Sequence, residues 1–221
     1  MSDHPKTYCI RGREVSEWEY QNLQRQVLER FDHANFPERQ AKWAKAERAG
    51  KQQPENTEWR KHWQRVKAGL CGDGVILAFI GGRGTGKTQL AACAGLHVCE
   101  RWHAQYWRAA SMFARIKSSY QPSAKESERD VLNDLTKPRL LVVDEIGECN
   151  ATEWEGRALA NIVCQRHDEC LDTILVSNHQ SAEDFARAVG DSITDRTAQG
   201  GGVFAFTWPS FRRLAAKSSH P

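Results

Sequence analysis

The chain has 221 residues, of which 40% are apolar and 27% are charged, and its formal net charge is +3. This length leaves room for one α/β domain and a short additional region, because domains typically contain about 100 to 200 residues. No apolar run approaches the roughly 20 residues that cross a bilayer, and no basic segment followed by an apolar stretch opens the chain. We therefore expect a cytoplasmic protein with no membrane partner.

Seven cysteines are scattered along the chain without any C-x-x-C pair. This spacing argues against both a zinc site and a disulfide framework, so we interpret them as reduced packing residues. They are Cys9, Cys71, Cys93, Cys99, Cys149, Cys164 and Cys170.

The first 68 residues are predicted to form a helical N-terminal region with a linker. Apolar side chains between Tyr20 and Phe31 recur with helical spacing, which predicts an amphipathic helix over residues 14–31. Residues 35–67 are rich in Lys, Arg, Gln and Glu and include several tryptophans. We place a domain boundary between residues 68 and 69, with a second domain over 69–221.

Five short apolar runs follow, and helical patterns separate them. This alternation is typical of a parallel sheet between helices. The predicted strands are residues 75–80, 104–107, 140–143, 173–176 and 203–206. Thr152 with Glu155 forms a capping-box pattern, and Ser181 is a candidate N-cap, so helices are predicted to begin at both places.

The segment from Gly81 to Thr88 fits the pattern G-x-x-x-x-G-K-[ST] and lies between a predicted strand and a predicted helix. Glycines allow backbone N–H groups to surround phosphate oxygens, and the helix N-terminus adds a favourable dipole. We therefore predict an ATP site here rather than a simple glycine-rich turn, with Lys87 on the β- and γ-phosphates and Thr88 on Mg²⁺. The predicted nucleotide-binding residues are Gly81, Gly82, Arg83, Gly84, Thr85, Gly86, Lys87 and Thr88.

The third apolar run ends in Asp144 and Glu145, at the edge where open α/β sheets bind ligands. In isolation, acidic residues at a strand end are more often solvated loop residues, but the upstream phosphate-loop pattern favours a functional pair. Asp144 then suits the Mg²⁺ shell, and Glu145 suits the activation of an attacking water. A water-activating glutamate favours hydrolysis over transfer to a bound acceptor. Asn178 ends the fourth run and is predicted to hold that water, although an Asn at a strand end is often only a turn residue.

These motifs together resemble the DnaC-type helicase loaders of bacteria and phages, a group of AAA+ proteins. The resemblance covers about residues 72–212. It is strongest in residues 131–135 leading into 140–147, in Ser177-Asn178, in Thr194-Asp195-Arg196 and in residues 206–212.

The resemblance implies a P-loop AAA+ core with a five-stranded parallel sheet, a short helical N-terminal region and no C-terminal helical lid. It makes residues 81–88 Walker A, Asp144 and Glu145 Walker B, and Asn178 sensor 1. Arg196 matches the arginine finger that serves a neighbouring subunit's nucleotide; the alternative is a surface arginine paired with Asp191 or Asp195. Arg212 matches a further, sensor-like arginine of the family at the nucleotide site.

The resemblance also implies partners: a replicative hexameric helicase, single-stranded DNA and further copies of this chain assembled with ATP. Isolated subunits should then hydrolyse ATP poorly. Candidate helicase contacts lie on the first helix, with packing against a neighbouring helix as the alternative; they are Trp18, Tyr20, Leu23, Val27 and Phe31. Candidate DNA contacts on the third helical stretch combine rings that stack on bases with cations that meet phosphates, with a basic solvated helix and inward-packed tryptophans as the alternative; they are Trp59, Arg60, Lys61, Trp63 and Arg65. Lys117 and Tyr120 are further candidates at a central channel.

Two other functions are compatible with the same motifs. One is an IstB-type ATPase that assists DNA transposition and acts on duplex DNA. The other is a nucleotide-gated adaptor that does not hydrolyse ATP, in which the matches at Glu145 and Arg196 carry no chemistry.

Overall fold

The computed structural model describes residues 7–10, 12–52, 54, 56–70, 73–147 and 152–212. Its first part has a two-stranded antiparallel sheet followed by three helices. These elements are β1 (Thr7–Ile10), β2 (Arg13–Ser16), α1 (Glu17–Asp32), α2 (Glu38–Arg48) and α3 (Thr57–Gly69).

The second part alternates strands and helices around a five-stranded parallel sheet. Its elements are β3 (Ile76–Gly81), α4 (Lys87–Val98), β4 (Ala104–Arg108), α5 (Ala109–Ser118), α6 (Glu128–Thr136), β5 (Leu140–Ile146), α7 (Glu153–Asp168), β6 (Asp172–Ser177), α8 (Ala182–Val189), α9 (Asp191–Gly200) and β7 (Gly202–Phe206). The strand order is β4-β5-β6-β3-β7. All five predicted strands are confirmed, and β6 separates the strand before the glycine-rich loop from the strand that carries Asp144.

The predicted start of the first helix is wrong. Residues 14–16 belong to β2, and α1 begins at Glu17. Ser16 caps the helix: its side chain accepts from the Glu19 backbone N–H, and the Glu19 carboxylate accepts from the Ser16 N–H. This capping box satisfies two helix-end donors, and it sets the start of the helix one turn later than apolar spacing alone suggested. The capping predictions at Thr152 and Ser181 are confirmed.

The central sheet has a separate apolar core on each face. Successive side chains of a strand point to opposite faces, so Leu77 and Phe79 join the core under α1 to α4, whereas Ile76, Ala78 and Ile80 join the core under α5 to α9. Both sets are almost completely buried. The run of apolar residues in β3 reflects this coverage on both sides.

Helix α4 is covered by the sheet on one side and by the N-terminal helices on the other. The Phe36 ring packs directly on Gly95 of α4, where a Cβ would lie 2.4 Å from the ring. Residues on both sides of position 68 share one apolar core. The domain boundary between residues 68 and 69 stays a prediction, and no gap between two cores marks it among the described residues.

The tryptophans of α3 pack inward. Trp59 is 1% exposed and Trp63 is 7% exposed, and both belong to the core shared with α4. The possibility that their rings stack on DNA bases is thus contradicted, and the alternative of inward packing is correct.

Within the described residues, no helix is long and apolar enough to cross a membrane. The described chain continues only to residue 212 after β7, and in this stretch no helical lid follows the sheet.

Candidate functional site

The glycine-rich loop connects β3 to the first turn of α4. Gly84 and Gly86 have φ values of 81° and 92°, in the left-handed region that favours glycine. Space also restricts these positions: a Cβ on Gly84 would lie 2.2 Å from Ser210 Oγ, and one on Gly86 would lie 2.8 Å from Trp59 Nε1. The loop is therefore shaped both by its own backbone and by side chains from distant parts of the chain.

Three consecutive carbonyl groups of the loop accept hydrogen bonds from outside it. The backbone N–H of Phe211 donates to Gly84 O at 2.9 Å, the indole of Trp208 donates to Thr85 O at 2.9 Å, and the indole of Trp59 donates to Gly86 O at 3.1 Å. Sequence reasoning missed these contacts. The only signal for them was the distinctive ending at residues 206–212.

Lys87 is almost completely buried at the N-terminus of α4. Its ammonium donates to Gly81 O at 2.6 Å, to Gly82 O at 2.8 Å and to Asn178 Oδ1 at 3.0 Å. The structure thus brings Asn178 to the loop lysine, because β6 lies directly beside β3.

Thr88 and Asp144 contact each other across the site. The Thr88 hydroxyl donates to Asp144 Oδ2 at 2.8 Å, the Tyr106 hydroxyl donates to the same oxygen at 2.9 Å, and the Glu145 N–H donates to Asp144 Oδ1 at 2.7 Å. Burial and the Asp144 charge raise the pKa of Tyr106, so its hydroxyl remains a donor. Tyr106 was missed by sequence reasoning.

Glu145 lies at an irregularity of β5, where the register with β6 shifts between Val143 and Ile146. Its φ is 63°, unusual for a residue other than glycine. Such strained positions are concentrated at functional sites, and bulges redirect side chains there. The Glu145 carboxylate is part-exposed and lies 3.6 Å from Arg108 Nε. The Tyr106 hydrogen bond and then the Glu145 charge raise the pKa of Arg108.

Lys87, Thr88, Asp144, Glu145 and Asn178 line one open cavity of about 430 Å³. Its walls come from the loop, from the ends of β5 and β6, from α2 and from the segment after β7. The lining residues are Arg39, Gln40, Arg83, Gly84, Gly86, Lys87, Thr88, Gln89, Asp144, Glu145, Asn178, Phe211 and Arg212. Arg39 and Gln40 of α2 were not predicted, because nothing local distinguishes them from other polar helix residues.

The oxygen donors of the cavity fit a magnesium ion. Mg²⁺ is typically bound through one or two protein oxygens together with nucleotide phosphates and water, and Thr88 and Asp144 offer such a pair. Among the described residues, no three His, Cys, Asp or Glu side chains converge as an all-protein metal cage would require.

Arg196 lies on α9, and it is not among the residues that line the cavity. Its guanidinium donates to Ser192 O at 3.2 Å and lies 3.9 Å from Asp168 Oδ1. The carboxylate nearest to it therefore belongs to α7 rather than to Asp191 or Asp195. Arg212, in contrast, lines the cavity as expected.

The candidate partner-contact residues divide into two groups. Val27 and Phe31 are buried in the core, and Tyr20 stacks on Tyr8 at 4.3 Å. Trp18 and Leu23 remain exposed, at 72% and 38%. At the proposed channel position, Lys117 pairs with Glu155 at 2.8 Å, and the exposed Tyr120 donates to Glu128.

A model of the IstB-like ATP binding protein family matches residues 72–198. The chain belongs to this family. The matched range covers the glycine-rich loop, Asp144, Glu145, Asn178 and Arg196.

The chain is also similar to the replicative helicase loader DnaC of Escherichia coli strain K12. The two are 31% identical over 144 residues, which make up 63% of this chain and 58% of that protein. The match thus spans less than two thirds of the relative's length. The resemblance to DnaC-type loaders is confirmed.

Solved structures share the architecture. The crystal structure of the DnaC helicase loader has a TM-score of 0.62 and 17% identity, covering 72% of this chain and 94% of that one. The replication initiator DnaA bound to AMPPCP and single-stranded DNA has a TM-score of 0.59 and 19% identity, covering 72% of this chain and 50% of that one. The predicted P-loop AAA+ fold is thereby confirmed.

Proposed function

We propose that this protein is an ATPase that loads a replicative DNA helicase onto single-stranded DNA. The observation that carries the proposal is the convergence of Lys87, Thr88, Asp144, Glu145 and Asn178 on one cavity in a chain similar to DnaC loaders. Binding of ATP favours the assembled state on helicase and DNA, and hydrolysis resets it.

The proposed roles follow from the contacts of each side chain. Backbone N–H groups of residues 81–88 and the Lys87 ammonium bind the phosphates, and Lys87 exchanges its contacts with Gly81 O and Gly82 O for phosphate oxygens. Arg212 contacts the nucleotide from the segment after β7. Thr88 and Asp144 would hold Mg²⁺, which would supply positive charge against the phosphates.

Hydrolysis requires an oriented water beside the γ-phosphate. Asn178 holds the water oxygen as it bonds to the γ-phosphorus, and Glu145 accepts the proton that the water loses. The bond between the β–γ bridging oxygen and the γ-phosphorus breaks, which gives ADP and phosphate. Arg108, whose Nε lies 3.6 Å from the Glu145 carboxylate, helps to orient that carboxylate. Arg196 acts at the site of a neighbouring subunit, which its position away from the chain's own cavity supports.

The exposed pair Trp18 and Leu23 on α1 supplies the helicase contact in this proposal. Their buried companions on the same helix fix α1 to the core and leave these two apolar side chains in solvent. Aromatic residues are typical anchors of protein interfaces.

Native mass spectrometry of the chain with the hexameric replicative helicase of the same genome, with ATP and Mg²⁺ and without DNA, tests the proposal. We expect a stoichiometric complex that Trp18→Ala with Leu23→Ala weakens at least tenfold. Tyr120→Ala, which removes an exposed aromatic residue elsewhere, is the matched control and should leave the complex intact. Absence of any complex in spite of ATP binding would overturn the loader function.

An IstB-type transposition ATPase is the second candidate, favoured by the family model that matches residues 72–198. Preference for double-stranded over single-stranded DNA in an ATP-dependent binding assay would support it. A non-hydrolysing adaptor is excluded if ATP turnover is measurable and Glu145→Gln abolishes it while ATP binding persists.

A further inference from the structure

We propose that Trp59, Trp208 and the backbone of Phe211 form an external clamp that positions the phosphate-binding loop and thereby sets nucleotide affinity. This inference rests on the proposed function, because it concerns how the nucleotide site is held. The three donors bind three consecutive loop carbonyls.

Through the geometry of the peptide unit, these contacts also fix the direction of the loop N–H groups. In a planar trans peptide the C=O and the following N–H point in opposite directions. The carbonyls of Gly84, Thr85 and Gly86 point toward the three donors. The N–H groups that follow them, those of Thr85, Gly86 and Lys87, therefore point away from the donors, inward to the phosphate-binding side of the loop. Inward-facing N–H groups at a helix N-terminus are the groups that bind phosphate oxygens. The clamp thus prepares the loop before any nucleotide arrives.

The first arm of the clamp is Trp59, which belongs to the N-terminal region. Trp59 is 1% exposed, its backbone N–H donates to the Asn56 side chain at 2.8 Å, and the Trp43 ring packs edge-on against it with centroids 5.4 Å apart. A buried ring with fixed neighbours holds its N–H in one direction. The position of α3 on the core therefore determines the position of the Gly86 carbonyl.

The second arm consists of Trp208 and the Phe211 backbone, in the segment that follows β7. The Trp208 ring lies 4.9 Å from Phe206 and 5.5 Å from His62 of α3, measured between centroids. His62 Nε2 also lies 3.1 Å from Ala205 O. His62 thereby links α3 to the strand that precedes Trp208, so the two arms, more than 140 residues apart, pack as one unit.

Phenylalanine replacements test the clamp because they retain most of each ring and remove only the N–H donor. We expect Trp59→Phe and Trp208→Phe each to weaken Mg-ADP binding by about three- to tenfold in calorimetry, the range that one lost hydrogen bond gives. Trp208→Phe should have the larger effect, because Gly86 O also accepts from Leu90 N.

Trp63→Phe is the matched control. It removes an indole from the same helix, one turn further on, where the ring bonds Glu47 rather than the loop. Its Mg-ADP affinity should stay within twofold of wild type. As a direct readout of positioning, the ¹⁵N-amide resonances of Thr85, Gly86 and Lys87 in the nucleotide-free protein should shift in the two clamp variants and not in the control.

The outcomes separate the clamp from the function on which it rests. Wild-type protein that binds no Mg-ADP would overturn both. Wild-type binding with unchanged affinity in Trp59→Phe and Trp208→Phe, or with equal losses in all three variants, would overturn the clamp alone. The two arms are tested independently, and Trp208 is only part-buried, so its replacement leaves the core intact.

Discussion

Lys87 and Arg196 are two basic side chains of the proposed reaction, and they lie in contrasting surroundings. Lys87 is 6% exposed and donates to three oxygens within a loop that distant segments hold in place. The Arg196 side chain is 30% exposed and has one carboxylate contact at 3.9 Å, on a helix outside the cavity. The loop lysine is therefore held in place within one chain, whereas Arg196 lies outside the cavity, as the proposed role at a neighbouring subunit requires.

Among the substitutions that test this comparison, Lys87→Ala should have the largest effect, a loss of ATP affinity. It removes the buried cation that charge-assisted hydrogen bonds would join to the phosphates, and each such bond contributes roughly 1.5 to 3 kcal/mol. We expect ATP affinity to fall at least a hundredfold in calorimetry. Lys117→Ala, which removes a lysine paired with Glu155, is the control and should bind normally. Undiminished affinity in Lys87→Ala would contradict the phosphate-loop assignment.

Arg196→Ala should leave ATP affinity unchanged and lower hydrolysis by about a thousandfold, the lower end of the range for an arginine finger. Mixing it with Lys87→Ala sharpens the test. Subunits with Lys87→Ala retain Arg196 but bind no ATP, whereas Arg196→Ala subunits bind ATP but lack the finger. Turnover should recover in mixed oligomers. Full activity of Arg196→Ala by itself would refute a role between subunits.

Tyr106→Phe tests the polar contacts around Asp144. The lost hydroxyl donates to Asp144 Oδ2 beside Thr88, and without it the carboxylate is less firmly oriented. We expect the Mg²⁺ concentration for half-maximal ATP hydrolysis to rise about three- to tenfold, the range for one hydrogen bond. Tyr120→Phe removes a hydroxyl that donates to Glu128 away from the cavity, so it is the matched control. Equal Mg²⁺ requirements in the two variants would contradict this role for Tyr106.

The smallest expected effect concerns His62, which connects α3 to β7. Burial lowers the pKa of His62, and the charge of Arg65 lowers it further. A histidine with a lowered folded-state pKa stabilises the fold fully above its unfolded value near 6.5, and this contribution is lost as pH falls from there through the folded pKa. His62→Phe should therefore flatten the decline of the melting temperature on acidification below about pH 6.5. One group accounts for at most about 1.4 kcal/mol per pH unit, and an unchanged decline would show that other groups cause it.

Local patterns predicted those features whose determinants lie close together in the chain. The strands, the glycine-rich loop and Asp144 with Glu145 each occupy a few consecutive residues, and the sheet then brings Asn178 to Lys87. The hairpin before α1 was missed because apolar spacing was given more weight than the capping pattern of Ser16 and Glu19.

Contacts between distant residues were not predictable in the same way. The bond from Trp59 to Gly86 joins positions 27 residues apart and depends on how α3 packs. The contact of Tyr106 with Asp144 depends on the pairing of β4 with β5. In this pairing Arg108 lies opposite Asp144, and Tyr106 lies two residues before Arg108. The sequence shows a tryptophan or a tyrosine at such places, but the partner becomes visible only when the fold is assembled.

The indole contacts of the loop also give this protein an internal optical reporter. Indole emission depends on hydrogen bonding and on the electric field at Nε1, and Trp59 and Trp208 each donate from that atom to a loop carbonyl. A nucleotide that brings several negative charges to the opposite side of the same peptides changes that field. Intrinsic fluorescence should therefore follow nucleotide arrival and departure in real time without any attached dye.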